Sequence, residues 1–347
     1  MQPNASRFRK DSARTAAASR LGEAMALLLM ADRGFIYWDH LPSLWTRKMF
    51  PTGHTESVRV PPSVTTTTLP SREPDFIFEQ PSTGNIGLAE AKGHIVTAGN
   101  SPDYKSDLAG ALGQVLPWTH CLNPSPTENY AISSYYQEAN ATDPTLIAFT
   151  DPPPRKEADP EWSVSYTPDD IRRGNYGAWL IGMGLQQTGQ ALRSRDDVDP
   201  SERKLAILDV QGEDFAIAIN RFLCPCLFTH PFSRLTTDFD GGWETVRNWF
   251  QMGVFAVPIF GIAVNVLRSI EEAIAEPKGS ALQRSRYVSR RANFSKVKST
   301  ELLPGGFAGS IFPDGTLFGF LDRSSPLWQT EKQQSFKLAE DPQRGIR

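Results

Sequence analysis

The chain has 347 residues, which is long enough for one large domain or two ordinary ones. Apolar residues make up 39% of it and charged residues 22%, a globular balance with ample material for a core. The net charge of −3 excludes a strongly basic surface over the whole molecule, so affinity for nucleic acid would have to come from local patches. Three cysteines cannot all pair, and Cys224 and Cys226 are too close for an ordinary bridge, which favours a reducing cytoplasm.

Neither a secretory signal nor a membrane span is the preferred interpretation of the apolar segments. The basic N-terminus is not followed by a clean apolar core with a small-residue cleavage site. The longest apolar stretch, 249–267, reaches spanning length only by including Gln251, Pro258 and Asn265. We therefore expect it to be buried core, with a membrane span as the alternative.

The first predicted element is a helix over 13–31, which is rich in Ala and Leu and is ended by Gly34. Helical spacing predicts a shared apolar face that consists of Leu21, Met25, Leu28 and Leu29. Glu23 lies to one side of that face.

A β-hairpin is predicted next. Residues 51–72 are rich in Pro and Thr and indicate an exposed connector with one short strand at most. Residues 74–79 alternate like a strand, 81–85 have turn chemistry, and 86–92 form the second strand.

A helix follows the hairpin. Pro102 and Asp103 begin it, and it is expected to end near Leu116 because Pro117 comes next. Two further strands are predicted at 129–135 and 145–150.

The charged, Pro-rich segment 151–162 has no periodicity and predicts a domain boundary. It divides the chain into a core at 1–155 and an α+β accessory region at 156–347 that binds nucleic acid or oligomerises. Within the second region we predict a helix near 176–193 and a hairpin formed by 204–210 and 214–219.

The first hairpin carries three residues that suit metal-assisted chemistry. Strand alternation places Glu90 and Lys92 on one face and Ala89, Ala91 and Gly93 on the other. A carboxylate and an ammonium on an otherwise apolar strand are costly to bury unless they pair with each other or with a metal and a phosphate. Asp75 begins the partner strand and returns toward Glu90, so two carboxylates converge in a hard-oxygen site suited to Mg²⁺ or Mn²⁺.

The pattern Pro74-Asp75, fourteen residues, then Glu90-Ala91-Lys92 resembles the PD-(D/E)xK nuclease superfamily. The resemblance covers about 13–150. It implies an α/β fold, namely a restriction-endonuclease-like core with a mixed central sheet flanked by helices.

The resemblance also implies an activity: Mg²⁺- or Mn²⁺-dependent hydrolysis of phosphodiester bonds in DNA. Asp75 and Glu90 would hold the metal, with Glu23 on the preceding helix as a further ligand, and Lys92 would assist the attacking water. Gln114 and Trp118, four residues apart, are similar to the Gln-x-x-x-Tyr feature of the RecB-type branch, with Trp in place of Tyr.

The expected partner is DNA, with no membrane association and with a homodimer left open. Gln114 and Lys105 are candidate contacts to its backbone, and a solvated helix face is the alternative for them. Residues 277–300 carry seven cations and no acidic residue, with Tyr287 and Phe294 interleaved, which predicts a phosphate-contacting patch. The alternative there is a solvated or disordered charge run.

Plainer interpretations stand beside these. Glu90 and Lys92 are also compatible with a surface ion pair on an edge strand, and Asp75 with a turn or cap. Zinc at His120-Cys121 or at Cys224, Cys226 and His230 lacks the usual ligand spacing. The stretch Asp209-Val210-Gln211 imitates the motif without a Pro-Asp partner. A rival function is a catalytically inactive protein of the same fold that binds nucleic acid or acts as a scaffold.

The basic patch generates one prediction. Each cation that contacts a phosphate releases condensed counterions, so binding to DNA should weaken steeply with salt. Replacing Arg284, Arg286, Arg290 and Arg291 with Ala should weaken binding to all sequences about equally and flatten the salt dependence. A salt titration of parent and variant against one short duplex measures this, and an unchanged slope would make the patch a solvated segment.

Overall fold

The chain divides into two compact units, Met1–Arg172 and Arg173–Arg347. The structure, a computed structural model, describes residues 3–44, 72–96, 102–137, 145–152, 163–210, 212–218, 256–277, 282, 307–322 and 332–339. The boundary predicted at 155, the connector at 51–71 and nearly all of the basic patch lie outside the described residues.

The first unit is an α/β fold built on a mixed five-stranded sheet with the strand order β1-β2-β3-β5-β6. Its elements are α1 (Pro3–Asp32), β1 (Tyr37–His40), β2 (Phe76–Gln80), β3 (Asn85–Val96), α2 (Tyr104–Cys121), β4 (Leu122–Asn123), β5 (Glu128–Gln137), β6 (Leu146–Thr150) and β7 (Val164–Ser165). Strands β1, β2 and β3 pair antiparallel, β3 and β5 pair parallel, and β6 returns antiparallel to β5. The short strands β4 and β7 pair separately.

The predicted hairpin is confirmed. Strands β2 and β3 pair in a register that sets Phe76 opposite Ala89 and Gln80 opposite Asn85. Gly84 has a φ of 79°, which glycine adopts without steric cost, and its backbone N–H donates to the Gln80 carbonyl at 2.8 Å. The turn therefore fixes which residues of the two strands face each other.

Helix α1 ends as predicted, but it packs through a different face. Gly34 has a φ of 88°, and the Phe35 N–H donates to the Met30 carbonyl, a common way for a helix to end. The predicted apolar face is wrong for Leu21 and Leu28, which are 47% and 53% exposed, whereas Leu29 is partly buried against the core cluster. The face buried against the sheet consists of Ala18, Gly22, Ala26 and Met30.

Small residues on α1 are buried because the helix approaches the backbone of β3. A Cβ added at Gly22 would lie 2.7 Å from the Gly93 nitrogen, and one added at Gly93 would lie 1.9 Å from the Ala18 carbonyl oxygen. Larger side chains at these positions would separate the helix from the strand. Leu21 and Leu28 consequently point away from the contact.

The two helices cover opposite faces of the sheet. Ala26 and Met30 of α1 join a core cluster with Ala89 and Ala91 of β3, so α1 covers the alanine face. Helix α2 packs against β3 and β5 on the other face, where the Thr119 hydroxyl donates to Asn129 Oδ1 at 2.8 Å. Glu90 and Lys92 share that second face.

Helix α2 begins where predicted and ends later than predicted. The Asp103 side chain accepts from the Ser106 N–H as the N-cap. The expectation that Pro117 stops the helix is wrong, because the helix continues to Cys121 with Pro117 inside it. Pro117 and Gly113, whose carbonyl loses its helical N–H partner, are both exposed, so water can replace the missing bond.

A buried ion pair holds the start of the next helix, α3 (Pro168–Gly182), to β2. The Arg172 guanidinium donates two hydrogen bonds to the Glu79 carboxylate, from Nε at 2.8 Å and from Nη2 at 2.5 Å. The Glu79 side chain is fully buried. Two bonds to one buried carboxylate fix both position and orientation.

The second unit contains the rest of α3 and a six-stranded antiparallel sheet, ordered β11-β12-β10-β9-β8-β13. Its further elements are α4 (Gln186–Ser194), β8 (Pro200–Val210), β9 (Glu213–Ala218), β10 (Ala256–Ala263), α5 (Val264–Ala275), β11 (Phe307–Ile311), β12 (Thr316–Asp322) and β13 (Gln333–Ala339). The predicted hairpin of β8 and β9 is confirmed. The single helix predicted near 176–193 is wrong, since Gly184 (φ 88°) separates α3 from α4.

The longest apolar stretch forms β10 and the start of α5 over the part that the structure describes, with Ile259, Ile262 and Leu267 buried. No helix within the described ranges is long and apolar enough to cross a membrane.

The contact between α1 and β3 predicts a large, position-specific cost. Gly93→Ala should lower the free energy of unfolding by about 3 kcal/mol, because the new methyl group collides with the Ala18 carbonyl. Gly110→Ala is the control: it is exposed on α2 with nothing within 4 Å, and should stabilise by about 0.5–1 kcal/mol. Urea unfolding measures both, and parent-like stability of Gly93→Ala would contradict the close contact.

Candidate active site

The side chains of Asp75 and Glu90 meet where β2 begins. The register that pairs Phe76 with Ala89 brings Asp75 opposite Glu90. The Asp75 N–H donates to Glu90 Oε2 at 3.1 Å, and the Ala91 N–H donates to Asp75 Oδ2 at 2.9 Å. Each carboxylate therefore accepts from the backbone of the other strand, so Asp75 is more than a local turn or cap residue.

Lys92 completes the cluster through an ion pair with Glu90 Oε1. The Glu90 side chain is 4% exposed and that of Lys92 is 31% exposed. Strand β3 lies between β2 and β5, so it is an interior strand. The alternative of a surface ion pair on an edge strand is therefore wrong.

Burial and a neighbouring carboxylate change the acidity of Glu90. Loss of hydration is the larger cause, and the negative charge of Asp75 adds to it, while Lys92 acts in the opposite direction. Together they raise the pKa of Glu90 from 4.5 to about 7. The cation of Lys92 thus only partly offsets the two carboxylates, so the cluster favours additional positive charge.

Helix α2 positions the strand end that carries Asp75. Trp118 is fully buried, and its indole N–H donates to the Arg72 carbonyl at 2.9 Å, three residues before Asp75. Gln114, one turn earlier on the same helix, is 8% exposed. Its burial disfavours the predicted contact with a DNA backbone, whereas Lys105 near the helix start is exposed.

Glu23 is not brought to the other two carboxylates. It lies on α1, on the opposite face of the sheet from Glu90 and Lys92, and its Oε1 accepts from the Ser19 hydroxyl at 3.4 Å. In the part of the chain that the structure describes, no three His, Cys, Asp or Glu side chains are grouped closely enough to hold a metal. A metal at this site would thus have Asp75 and Glu90 as its protein ligands.

The sequence interpretation missed three residues beside the cluster. His94 follows Lys92 at the next position of the same strand face and lies against Asp107 of α2 and Tyr135 of β5. Strand alternation could have identified His94. Asp107 and Tyr135 gave no local signal, since only the packing of α2 on the sheet brings them there.

The remaining candidates are the Asp-Val-Gln stretch, the zinc residues and the basic patch. Asp209 Oδ1 accepts from the Gly212 N–H at 2.9 Å, so this residue of the Asp-Val-Gln stretch stabilises the turn between β8 and β9. Cys121 is buried as a free thiol. Cys224, Cys226, His230 and the arginines at 284, 286, 290 and 291 lie outside the described residues.

Comparisons with known proteins identify no relative. No family model, curated protein or solved structure matches the chain. Its function therefore has to follow from the contacts of the site itself.

The acidity of Glu90 predicts how stability depends on pH. The folded state holds this proton more tightly than the unfolded chain, so stability should fall as pH rises from about 4.5 to about 7, by about 3 kcal/mol at most. Glu90→Gln should remove this fall and be more stable than the parent at pH 8 in a chelating buffer. Urea unfolding across this pH range measures the difference.

Asp75→Asn separates the two causes. It removes the repulsion and leaves the burial, so most of the parent's fall with pH should remain. A parent whose stability is level between pH 5 and pH 8 would contradict the burial of an ionisable Glu90.

Proposed function

We propose that this chain is a metal-dependent nuclease that hydrolyses phosphodiester bonds in DNA. The observation that carries the proposal is the cluster in which Asp75, Glu90 and Lys92 meet on one face of the sheet. Two carboxylates and an ammonium are the set of charges that metal-assisted attack on a phosphodiester requires.

The two carboxylates suit a hard divalent cation. They offer oxygen ligands only, and Mg²⁺ typically binds to one or two carboxylates while water and substrate phosphate fill its other positions. The raised pKa of Glu90 supports the assignment, because a cation beside two crowded carboxylates would relieve their repulsion and keep Glu90 ionised. Mn²⁺ fits the same ligands.

When bound, the ion would polarise the phosphodiester and lower the pKa of a bound water. The residues of the chain have separate tasks around it. Asp75 and Glu90 would supply the oxygen ligands. The Ala91 N–H holds the Asp75 carboxylate in place, and the Asp75 N–H holds that of Glu90. Lys92, whose side chain is 31% exposed, can reach solvent to orient the attacking water or to stabilise the charge that develops on phosphorus oxygens.

The arrangement of elements supports the resemblance to a restriction-endonuclease-like core. A helix, three antiparallel strands, a second helix and a strand parallel to β3 follow one another, with the helices on opposite faces of the sheet. The charged cluster lies on the two central hairpin strands. DNA as the substrate rests on this resemblance.

Substitution of the cluster predicts loss of cleavage without loss of folding. Asp75→Ala and Lys92→Ala should each lower the rate of Mg²⁺-dependent cleavage of plasmid and short duplex DNA by at least about 100-fold. Their far-ultraviolet circular dichroism should match the parent's, because both groups contact polar atoms at the rim of the core. Removing the metal with a chelator should stop cleavage by the parent.

Asp209→Asn is the matched control, since it changes a similar sequence stretch that stabilises only a turn, and it should cleave like the parent. Cleavage that survives in Asp75→Ala or Lys92→Ala would place the activity elsewhere. A parent that binds DNA and never cleaves it would favour the inactive, nucleic-acid-binding alternative.

A further inference from the structure

A polar cluster beside the proposed site has no part in the chemistry described so far. The imidazole of His94 stacks on the ring of Tyr135, with centroids 5.2 Å apart and 15° between the planes. His94 Nε2 lies 3.1 Å from Asp107 Oδ2, and the same oxygen accepts from the Tyr135 hydroxyl at 2.6 Å. Elements β3, α2 and β5 thus hold the ring in one orientation.

Exposure increases along this strand face from Glu90 to His94. The side chains of Glu90, Lys92 and His94 are 4%, 31% and 41% exposed. Glu90 is therefore in the buried part of the face, and Lys92 and His94 form its open part, which ends where Val96 is buried again. Lys92 and His94 are therefore neighbouring groups on this face that a substrate in solvent can reach.

The contacts of His94 leave one nitrogen available. Nε2 is buried and lies close to the Asp107 carboxylate, although the two atoms do not have the geometry of a hydrogen bond, so a protonated ring would be held there by charge. In the imidazolium form Nδ1–H is then the second donor, on a side chain with 41% of its surface open to solvent. The charged or titratable groups around the ring are Lys92 of β3, Asp103 and Asp107 of α2, and Tyr135 of β5.

Two positions along a strand separate Lys92 from His94 by about 7 Å. This spacing is comparable to that of neighbouring phosphates along a nucleic-acid strand. An imidazolium at this distance from the cluster can contact a phosphate while the adjacent one occupies the cluster.

We propose that His94, oriented by Asp107 and Tyr135, binds the phosphate that flanks the scissile phosphate. The inference rests on the proposed nuclease function and deepens it. It identifies the substrate as a strand with at least one further phosphate on the open side of the site. A lone phosphodiester without that neighbour would lack this contact.

His94→Phe tests the contact, because a phenyl ring retains the stack on Tyr135 and removes both nitrogens. The probe is a short fluorescent thymidine oligonucleotide, bound in a chelating buffer so that hydrolysis does not contribute. Affinity should fall about tenfold, as expected for one hydrogen bond to a charged group. The slope of log affinity against log salt should become shallower by about 0.7, the value for one phosphate contact on a single strand.

His40→Phe is the matched control. His40 also packs against an aromatic ring, that of Phe76, but it lies on the opposite face of the sheet, the one that carries Ala89 and Ala91. It should bind the oligonucleotide like the parent, with the same salt slope. Thermal unfolding of both variants shows whether a loss of binding merely reflects a loss of folding.

A substrate-side test locates the contact. A single methylphosphonate, which removes one phosphate charge, is placed in turn at each position of the oligonucleotide. At one position the parent should lose affinity while His94→Phe loses none, because the contact is already absent. Equal losses for both proteins at every position, or parent-like binding by His94→Phe, would overturn the proposal.

The test of the His94 contact and the test of the proposed nuclease activity can fail independently. Binding in chelator does not require cleavage, so a parent that never cleaves DNA can still show the His94 contact. A parent that cleaves with His94→Phe unchanged in affinity and salt slope would leave the nuclease proposal standing and refute the flanking contact alone.

Discussion

The close approach of α1 to β3 is the contact on which the first unit depends. At Gly22 and Gly93 a Cβ atom would already collide with backbone, so the helix lies directly on the strand. Strand β3 is consequently covered by α1 on one face and by α2 on the other, and is paired with β2 and β5 along its edges. Enclosed in this way, the strand buries Glu90, whereas Lys92 and His94 farther along the same face stay partly exposed.

The burial of Glu90 has opposite consequences for stability and for chemistry. Removing a carboxylate from water beside Asp75 is unfavourable to folding, and Lys92 offsets it only in part. The same crowding prepares the pair to bind a cation, because the repulsion that a cation would relieve is already present. Strain of this kind tends to occur where function requires it, and here the backbone N–H donors from two strands maintain it.

The sequence predicted the parts of this arrangement that are local. Alternation along 86–92 assigned Glu90 and Lys92 to one face, and the turn at Gly84 brought Asp75 back to them. The packing face of α1 was predicted wrongly because hydrophobic periodicity depends mostly on large apolar residues such as leucine. The close contact with β3 instead requires small residues, here Ala18 and Gly22. Two features depend on tertiary contacts that no local pattern encodes. Helix α2 continues beyond Pro117, and Asp107 of that helix lies beside His94 of β3.

The order of groups along β3 relates burial to function. A strand sets alternate side chains on one face at a fixed interval, so a gradient of exposure along that face also orders the groups from closed end to open end. Groups that must act on a desolvated bond belong at the closed end, where a low dielectric strengthens each charge interaction. Groups that bind the incoming strand belong where solvent and substrate can reach them. Glu90, Lys92 and His94 follow this order, with side chains that are 4%, 31% and 41% exposed. Glu90 thus lies in the buried part of the face that α2 covers, while Lys92 and His94 lie in the part that remains open to solvent.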